Sequence, residues 1–333
     1  MLIDLVNPYA WGMWVRRRLY RRGFFRSDAV SIPVISVGNL SSGGTGKTPL
    51  AIYLALLIEQ KYHKRVAIVL RGYKRKSNGL LVVRDSNDIY STLDQSGDEA
   101  MLYAQELQRA IVLCDEDRLR GAQKAAELGA EVVILDDGFQ HMRIRRDLNI
   151  LLINEDEDIP AVIPFGKGRE TISAANDADI IMITNWASSN WQTVNKPVVF
   201  AATKIESFEE IVPQKHFFEL PELKNKTVLA VSGIGNPGSF ENSIRPFFRN
   251  VIPLRFRDHT MYDRRMIAEI ETAAAHDNCD LVITTTKDEL KLLSLVQEMT
   301  IAVPLVVVRS RTVISRGEDI LHNAIESIFS ANT

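Results

Sequence analysis

Short apolar runs rich in β-branched residues recur along this chain, and stretches with helical spacing separate them. In the first two hundred residues the runs cover 32–37, 65–70, 79–83, 110–114, 131–136, 149–154, 179–184 and 197–202. Because they are almost continuously apolar, they predict strands buried on both faces of a parallel sheet. Helical spacing is clearest over residues 116–128, and Gly129 is the expected end of that helix. The alternation predicts a doubly wound, mostly parallel α/β fold.

The chain of 333 residues is long enough for two domains, since single cores stop growing at about 250–300 residues. Residues 203–224 contain two prolines and no clear periodicity, so we interpret them as a linker. Further apolar runs predict a second, smaller α/β domain over residues 225–333. These runs lie at 250–256, 280–286 and 303–308. The first domain is then expected to cover residues 29–202.

The N-terminal segment has an unusual composition. Residues 1–26 contain six arginines and one acid, Asp4, interleaved with aromatic residues. Helices that lie in a membrane interface combine basic and aromatic residues in this way. A helical wheel separates one basic and one mainly apolar set, namely Arg17, Arg18, Arg21 and Arg22 against Val15, Leu19, Tyr20 and Gly23. We therefore predict that residues 1–28 form a helix that associates with a membrane surface. The alternative is a basic helix packed on the domain with solvated arginines.

Composition and charge exclude several classes of protein. The formal net charge of -2 argues against a general nucleic-acid-binding protein. The two cysteines, Cys114 and Cys279, have no metal-binding spacing, which favours a reducing compartment. The apolar run 50–58 is too short to cross a bilayer. Nothing in the sequence indicates an obligate protein partner.

The segment GNLSSGGTGKTPL, residues 38–50, is similar to a phosphate-binding loop that lacks its first glycine. The usual pattern is G-x-x-x-x-G-K-[ST], and Ser41 stands at the first position. The segment follows an apolar strand and precedes an apolar helix, which is the context that such a loop requires. A nucleotide site is therefore predicted here.

Each part of this loop has an expected role. Gly43, Gly44 and Gly46 allow backbone N–H groups to surround phosphate oxygens at a helix N-terminus. Lys47 can reach the β- and γ-phosphates, and the Thr48 hydroxyl can bind Mg²⁺.

Acidic residues occur at two positions suited to phosphoryl transfer. Asp136 and Asp137 end an apolar strand, the pattern that holds or orients Mg²⁺. Asp98 and Glu99 begin a helix in the segment SGDEAMLYAQEL. One of them can accept the proton of an alcohol, although acids in a first helical turn also stabilise the helix by themselves. The residues alone leave both interpretations open.

Other polar residues are weaker candidates. Arg71 follows a predicted strand and can face phosphate charge. Arg169 and Glu170 follow a glycine-rich turn, where helix capping is the alternative. His259 lies beside Asp258 in a polar loop, where a surface histidine is the alternative.

Taken together, these segments resemble the tetraacyldisaccharide 4'-kinase family, the lipid A 4'-kinases of Gram-negative bacteria. The resemblance rests on VGNLSSGGTGKTP, RGY, GDEA, DDGFQH, RDLNIL, SGIGNPGSF, DH at 258–259 and TTTKDELKL, which follow in the order of the family. The first of these and DDGFQH are highly specific in combination, and the match covers nearly the whole chain.

The resemblance implies a P-loop kinase domain and a reaction. The reaction is the phosphorylation by MgATP of the 4'-hydroxyl of a tetraacylated glucosamine disaccharide 1-phosphate, which gives lipid IVA. It implies a peripheral enzyme on the cytoplasmic face of the bacterial inner membrane, with an acylated disaccharide lipid as substrate and two α/β domains joined by a β-ribbon linker.

The resemblance also implies roles for individual residues. The catalytic residues are Asp98, His259, which supports Asp98, and Lys47. The residues expected to bind ATP are Gly43, Gly44, Thr45, Gly46, Lys47, Thr48, Arg71 and Gln140. Those expected to bind Mg²⁺ are Thr48, Glu99, Asp136 and Asp137. Those expected to contact the substrate are Asn39, His141, Arg169 and Glu170.

Two alternative functions remain at this point. A membrane-associated switch ATPase also combines a glycine-rich GKT loop with membrane contact, but its signature lysine falls on Ser42. A soluble small-molecule P-loop kinase is the second alternative, and in it the N-terminal arginines would simply pack on the domain.

Overall fold

The computed structural model describes residues 7–41, 46–154, 161–184, 195–212, 216–299 and 302–330. Strands in these ranges are β1 Val34–Asn39, β2 Val66–Leu70, β3 Leu81–Arg84, β4 Ile111–Cys114, β5 Val132–Asp136, β6 Leu148–Asn154, β7 Ile180–Thr184, β8 Val198–Val212, β9 His216–Phe217, β10 Thr227–Ser232, β11 Asn250–Arg255, β12 Leu281–Thr285 and β13 Leu305–Arg316. The α-helices are α1 Pro8–Arg21, α2 Lys47–Lys61, α3 Leu93–Ser96, α4 Asp98–Glu106, α5 Arg118–Glu127, α6 Leu220–Leu223, α7 Pro237–Ile244, α8 Arg264–His276, α9 Thr286–Glu298 and α10 Glu318–Ser330. Short 3-10 helices cover Ile172–Asp177 and Arg245–Phe247.

The chain divides into two compact units, one of residues 1–203 with 312–333 and one of residues 204–311. In the first unit the strand order is β3-β4-β2-β5-β1-β6-β7-β8. Neighbouring strands pair in parallel, except for β3, which pairs antiparallel with β4. The predicted doubly wound, mostly parallel α/β fold is therefore confirmed, and β1 lies inside the sheet.

Helices cover both faces of this sheet because successive residues of a strand point to opposite sides. In β1, Ile35 packs in one cluster with Leu50 and Leu54 of α2. The preceding residue, Val34, packs in a different cluster with Leu119 of α5. Strands that are buried on both faces need apolar residues at nearly every position, which explains the continuous apolar runs of the sequence.

The C-terminal segment belongs to the first unit, which differs from the predicted domain boundary. The predicted second domain, 225–333, extends too far, because residues 312–333 lie in the first unit. Helix α10 has an apolar stripe that is buried in the same cluster as Leu54. This stripe consists of Leu321, Ile325 and Ile328. Its spacing predicts a helix, but it carries no information about which sheet the helix covers.

The predicted linker, 203–224, contains regular structure. Strand β8 runs through the unit boundary and continues to Val212. Its Glu209 pairs antiparallel with Phe217 of β9. Alternating exposure along this part of β8 breaks the continuous apolar pattern by which the other strands are recognised.

The second unit is a smaller α/β unit, as predicted. Its strand order is β11-β10-β12-β13-β8, and the strands from β11 to β13 pair in parallel. On one face Val231 of β10 packs in a cluster with Ile267 of α8. On the other face Ala230 packs in a cluster with Ile244 of α7.

A helix that crosses a bilayer needs about 20 mainly apolar residues. Within the described ranges, no helix combines the length and the apolar character that a membrane span requires.

Candidate active site

The carboxyl ends of β1 and β5 lie side by side. The two strands pair in parallel, with Val37 opposite Asp136. The chain leaves β1 at Asn39 and enters α2 at Lys47, so the predicted phosphate loop starts next to Asp136. Open α/β sheets bind their ligands at this edge.

Two glycines of the loop segment meet specific conformational demands. A Cβ atom on Gly38 would lie only 2.6 Å from Cβ of Phe139, so the DDGF turn can approach β1 because residue 38 has no side chain. Gly46 precedes α2 with a left-handed φ of 91°, which glycine adopts without strain. The predicted loop residues Gly43, Gly44 and Thr45 lie outside the described residues.

Lys47 is held at the first turn of α2 by groups from β1 and β5. Its Nζ donates to Asn39 Oδ1 at 3.1 Å and lies 3.6 Å from Asp137 Oδ1. Asn39 is buried, and its backbone carbonyl accepts a hydrogen bond of 2.8 Å from Gln140 Nε2. Asn39 therefore orients the lysine, while its predicted contact with substrate stays a prediction.

Asp137 bridges two cations. It directly follows β5 in a left-handed conformation with φ 53°, and its Oδ2 accepts from Arg169 Nη1 at 2.5 Å. Burial works to raise the pKa of Asp137, but the charges of Lys47 and Arg169 outweigh it and hold that pKa below its usual range. Arg169 reaches this position because its backbone N–H donates to Leu40 O at 2.7 Å.

Asp136 lies in a different electrostatic environment. It is buried, and burial together with the charges of Glu99 and Asp137 raises the pKa of Asp136 to about 7. Among the described residues its Oδ1 has no hydrogen-bond partner of normal geometry. The Tyr103 hydroxyl faces both Asp136 and Thr48. The charge of Lys47 acts in the opposite direction, and a cation bound beside Asp136 would likewise favour its ionised form.

Helix α4 carries the predicted base to the same region of the first unit. Asp98 is buried at the first position of α4, and its Oδ1 accepts from the Glu99 backbone N–H at 2.9 Å. Glu99 and Tyr103 are four residues apart, so they share one face of the helix, and both influence Asp136. Gly97 precedes the helix with φ 84°, and a Cβ there would lie 3.1 Å from Tyr73 O of the RGY loop.

Further polar residues of the first unit are Gln140 and His141 of the DDGFQH turn and Arg118, which begins α5 after β4. Gln140 bonds to β1 as described, and His141 is partly buried. Burial, with a contribution from Arg118, lowers the pKa of His141 to about 4, so the imidazole is neutral at neutral pH. Burial lowers the pKa of Arg118, although the charges of Asp137 and Asp136 act to raise it. Arg71 is exposed just after β2.

The predicted metal ligands fit a cation that is shared with a nucleotide. Across the described ranges, no three acidic, histidine or cysteine side chains form a complete metal site by themselves. Mg²⁺ usually takes only one or two carboxylates and completes its shell with water and phosphate oxygens. The unsatisfied Oδ1 of Asp136, with Glu99, Asp137 and Thr48 nearby, suits such a partial set.

Glu170 points to the N-terminal helix. Arg17 of α1 forms an ion pair with Glu170, and both side chains are almost completely buried. Arg17 Nη1 also lies 2.5 Å from Asp177 Oδ2, and its guanidinium lies 4.7 Å from the centre of the Phe139 ring. Burial raises the pKa of Glu170 although Arg17 acts in the opposite direction. The substrate role of Glu170 stays a prediction, since its described partner belongs to the same chain.

The helical wheel of α1 is wrong about which residues are solvated together. Arg17 and Ala10 are the buried residues of the helix, and Arg21 pairs with Asp177 at 2.5 Å. The exposed residues mix the two predicted sets and include Trp11, Trp14, Val15, Arg18 and Arg22. The wheel groups Arg17 with the other arginines, but here Arg17 alone of that set is buried, and it is paired with acidic partners.

Arg17 should therefore matter for folding, whereas its neighbour Arg18 should not. Replacing Arg17 by glutamine leaves the Glu170 carboxylate buried without its cation. We expect the free energy of unfolding of the first unit to fall by about 3–5 kcal/mol. Arg18→Gln removes the same charge from an exposed position and should change it by no more than about 0.5 kcal/mol. Urea denaturation followed by circular dichroism measures both. Equal stabilities would contradict a structural role for the Arg17–Glu170 pair.

The remaining predicted residue, His259, lies in the second unit. Its backbone N–H donates to Gly233 O at 3.1 Å, and its φ is 61°. Its Nε2 lies 3.6 Å from Asp258 Oδ2, and the side chain is largely buried. The histidine is thus held in a defined loop, and its predicted support of Asp98 stays a prediction.

The sequence analysis missed three residues. Tyr103 could have been found from its helical spacing to Glu99. Arg118 follows β4 at the same edge of the sheet as Asp136, so the strand-end rule could have found it. Arg17 was recognised as basic, but its acidic partners lie 153 and 160 residues away, and no local pattern identifies them.

Comparison with known proteins places this geometry in a family. A family model described as tetraacyldisaccharide-1-P 4'-kinase matches residues 1–329. The tetraacyldisaccharide 4'-kinase of Aquifex aeolicus is 38% identical over 285 residues, covering 83% of this chain and 84% of that protein. The enzyme of the same name from Pelobacter propionicus is 35% identical over 315 residues, covering 89% and 85%.

A solved structure agrees with these sequence matches. The "apo" form of LpxK from Aquifex aeolicus in complex with ATP superposes with a TM-score of 0.77 at 29% identity, over 96% of each chain. The match thus extends over both units, and the resemblance that the motifs indicate is confirmed: this chain belongs to the tetraacyldisaccharide-1-P 4'-kinase family.

Proposed function

We propose that this protein transfers the γ-phosphoryl group of ATP to the 4'-hydroxyl of a tetraacylated glucosamine disaccharide 1-phosphate, which gives lipid IVA. The observation that carries the proposal is the position of Lys47 between Asn39 and Asp137, at the sheet edge that also holds Asp136. The family membership and the ATP-bound relative support the same donor and the same reaction.

Positive groups of the first unit compensate the charge of the phosphates. Lys47 stands at the N-terminus of α2, where the helix dipole also favours an anion. Arg169 and the buried Arg118 add two permanent charges around Asp137. Phosphoryl transfer depends chiefly on such positioning and charge stabilisation, so a preorganised cluster lowers the barrier.

Carboxylates of the site are suited to hold the cation that accompanies ATP. Mg²⁺ would be held by phosphate oxygens together with the Thr48 hydroxyl and the carboxylates of Asp136, Asp137 and Glu99. When bound, Mg²⁺ neutralises the charge that develops on the phosphoryl oxygens. The unsatisfied Asp136 oxygen supports this assignment.

Asp98 accepts the proton of the attacking hydroxyl in this proposal. It is buried at the start of α4, and its Oδ1 accepts from the Glu99 N–H, which holds the carboxylate in a defined position. We infer that His259, which lies in the second unit, supports Asp98 in this role. The order of the family motifs is the basis for this pairing.

The N-terminal helix brings the enzyme to a lipid substrate that stays in the bilayer. Its exposed surface combines Trp11 and Trp14 with Arg18 and Arg22, a mixture that suits the interface of an anionic membrane. We infer peripheral attachment at the cytoplasmic face of the inner membrane, where ATP is available.

One assay tests the proposed reaction. The purified protein is given labelled ATP, Mg²⁺ and a tetraacyldisaccharide 1-phosphate in mixed micelles, and the lipid product is analysed by mass spectrometry. Phosphorylated lipid is the expected result. Hydrolysis of ATP without a phosphorylated lipid would indicate a switch ATPase instead. Phosphorylation of water-soluble sugars but not of the lipid would indicate a soluble small-molecule kinase.

Loss of the exposed arginines of α1 should weaken membrane binding. Each basic residue near an anionic surface contributes about 1 kcal/mol, so the double variant Arg18→Gln, Arg22→Gln, which loses about 2 kcal/mol, should bind anionic vesicles roughly thirtyfold more weakly. Binding of the unchanged protein should fall as salt rises, because screening reduces the reach of surface charge. Activity in mixed micelles should change in KM more than in kcat.

A double variant of the second unit controls for net charge. Lys224 and Arg265 are exposed there, and Lys224→Gln with Arg265→Gln removes the same two charges. Vesicle co-sedimentation compares the two double variants. If both bind as strongly as the unchanged protein at low salt, the arginines of α1 are not the membrane contact.

A further inference from the structure

A short loop of the first unit exposes two large apolar side chains. In residues 161–168, Ile163 is 39% exposed and Phe165 is 60% exposed. The loop is closed by backbone hydrogen bonds from Ile163 N to Gly168 O at 2.9 Å and from Gly168 N to Ala161 O at 3.0 Å. A Cβ on Gly166 would lie 2.3 Å from Ala161 O, so the turn is tight. Such a closed loop presents Phe165 in a fixed direction.

The loop is bonded directly to the N-terminus of α1. The Asn7 side chain is fully buried, and its Nδ2 donates to Val162 O at 3.1 Å and to Ile163 O at 2.9 Å. Its Oδ1 accepts from the backbone N–H groups of Tyr9 and Ala10 and so caps the helix. A single side chain therefore fixes the loop beside the first turn of α1.

The start of α1 and the loop 161–168 both expose large apolar side chains, and neither segment contains an acidic residue. The first turns of α1 expose Tyr9 and Trp11, at 41% and 56%. Residues 7–26 contain no acid, and the only charged residue of 161–168 is Lys167. Four acids at 155–158 precede the loop in the sequence and would work against an anionic surface. The attraction must therefore come from the apolar side chains and from the arginines of α1.

We propose that the loop 161–168 is a second membrane-contacting element, which inserts Ile163 and Phe165 into the interface of an anionic bilayer beside α1. The proposal rests on the proposed function, since it assumes a substrate held in the membrane. Aromatic side chains next to basic ones are suited to the boundary between acyl chains and headgroups.

Membrane contacts at both α1 and the loop 161–168 would fix the orientation of the first unit on the bilayer. One helix on a membrane leaves the domain free to turn about the helix axis, whereas a second inserted point fixes its orientation. Arg169 follows Phe165 by four residues, and its guanidinium reaches Asp137 in the candidate active site. Four residues span at most about 14 Å, so insertion of Phe165 keeps the backbone at Arg169 within that distance of the interface.

Vesicle binding of the full chain tests the loop. The variant Phe165→Ser should bind vesicles of phosphatidylethanolamine with one third phosphatidylglycerol about tenfold more weakly, because a large apolar side chain no longer leaves water. Phe217→Ser is the matched control, since Phe217 is 55% exposed and lies in the second unit. Its binding should stay within about twofold of the unchanged protein. Equal binding of both variants and the unchanged protein would overturn the proposal.

A fluorescent label reports insertion at the loop itself. Both native cysteines are buried, and burial raises the pKa of each thiol, so a cysteine introduced by Phe165→Cys is labelled selectively. Brominated lipids should quench an environment-sensitive dye at this position. The same dye on Asn87→Cys should stay unquenched. Asn87 follows β3 and the loop follows β6, and these two strands stand five strands apart in the sheet, roughly 24 Å. A dye at position 165 that stays in water on vesicle-bound protein would refute insertion.

Insertion of the loop and phosphorylation of the lipid can fail independently, and different results distinguish the two. If Phe165→Ser changes the sedimentation coefficient without vesicles and leaves vesicle binding intact, the surface is a contact between protein copies and the proposal is wrong. If the unchanged protein inserts the loop but fails to phosphorylate the lipid in micelles, insertion is supported and the kinase assignment fails. If it phosphorylates the lipid while the dye stays in water, only the insertion proposal fails.

Discussion

Lys47→Ala should lower kcat for lipid phosphorylation by about 10²–10³-fold, the usual cost of removing one group that stabilises charge in a transition state. The ammonium group is fixed before ATP arrives, because Asn39 Oδ1 accepts from it at 3.1 Å and Asp137 lies 3.6 Å away. Such preorganisation means that no free energy is spent on orienting the charge during the reaction. Rates of product formation under saturating ATP measure the effect.

Folding should change little in this variant, because Asp137 keeps its ion pair with Arg169. Lys61→Ala is the matched control, since Lys61 is exposed at the other end of the same helix. It removes the same charge without touching the site and should retain nearly full activity. Lys47→Arg adds a second comparison, because it keeps the charge but changes its shape. A Lys47→Ala enzyme with near-normal turnover would contradict the kinase assignment.

The position of the site could be predicted from the sequence because two local patterns converge. A GKT loop after one buried strand and paired acids after another indicate the same sheet edge, since parallel strands end on one side. The register of Val37 with Asp136 agrees with this expectation. Neither pattern depends on distant residues, so neither required knowledge of the tertiary structure.

The details of the site depend on contacts that local patterns do not contain. The contact of Asn39 Oδ1 with Lys47 Nζ was not predicted, and the predicted contact of Asn39 with the substrate stays a prediction. The burial of Arg17 in α1 could not be predicted for a related reason. The buried face of α1 is defined by an ion pair between Arg17 and Glu170, 153 residues apart in the chain, and hydrophobic periodicity cannot indicate such a face.

Asp98→Asn should lower kcat by about 10²–10⁴-fold, the usual contribution of general acid–base catalysis, while the affinity for ATP is retained. The amide keeps an oxygen that can accept from the Glu99 N–H, as Asp98 Oδ1 does at 2.9 Å, so α4 should remain intact. What the amide lacks is the capacity to take a proton at neutral pH. Turnover, ATP binding and thermal melting are measured on the same preparation.

Two comparisons separate a base from a residue that only stabilises a helix. Asp94→Asn changes an exposed acid in the first turn of α3, which pairs with Lys76, and should leave turnover within about twofold. The kcat of the unchanged enzyme should fall at low pH as the base becomes protonated, and Asp98→Asn should lack that dependence. If Asp98→Asn lowered the melting temperature but kept its turnover, the residue would serve the helix alone.

The role of His259 is tested by measuring kcat for His259→Ala, alone and combined with Asp98→Asn. His259→Ala should reduce kcat less than Asp98→Asn, because the histidine acts through the carboxylate and not on the substrate. In a protein that already carries Asp98→Asn, adding His259→Ala should then have little further effect, since residues that act as a unit are not additive. The loop of the second unit should persist in this variant, because His259 N donates to Gly233 O through the backbone. Full additivity of the two losses would mean that His259 serves another step, such as the binding of ATP or of the lipid.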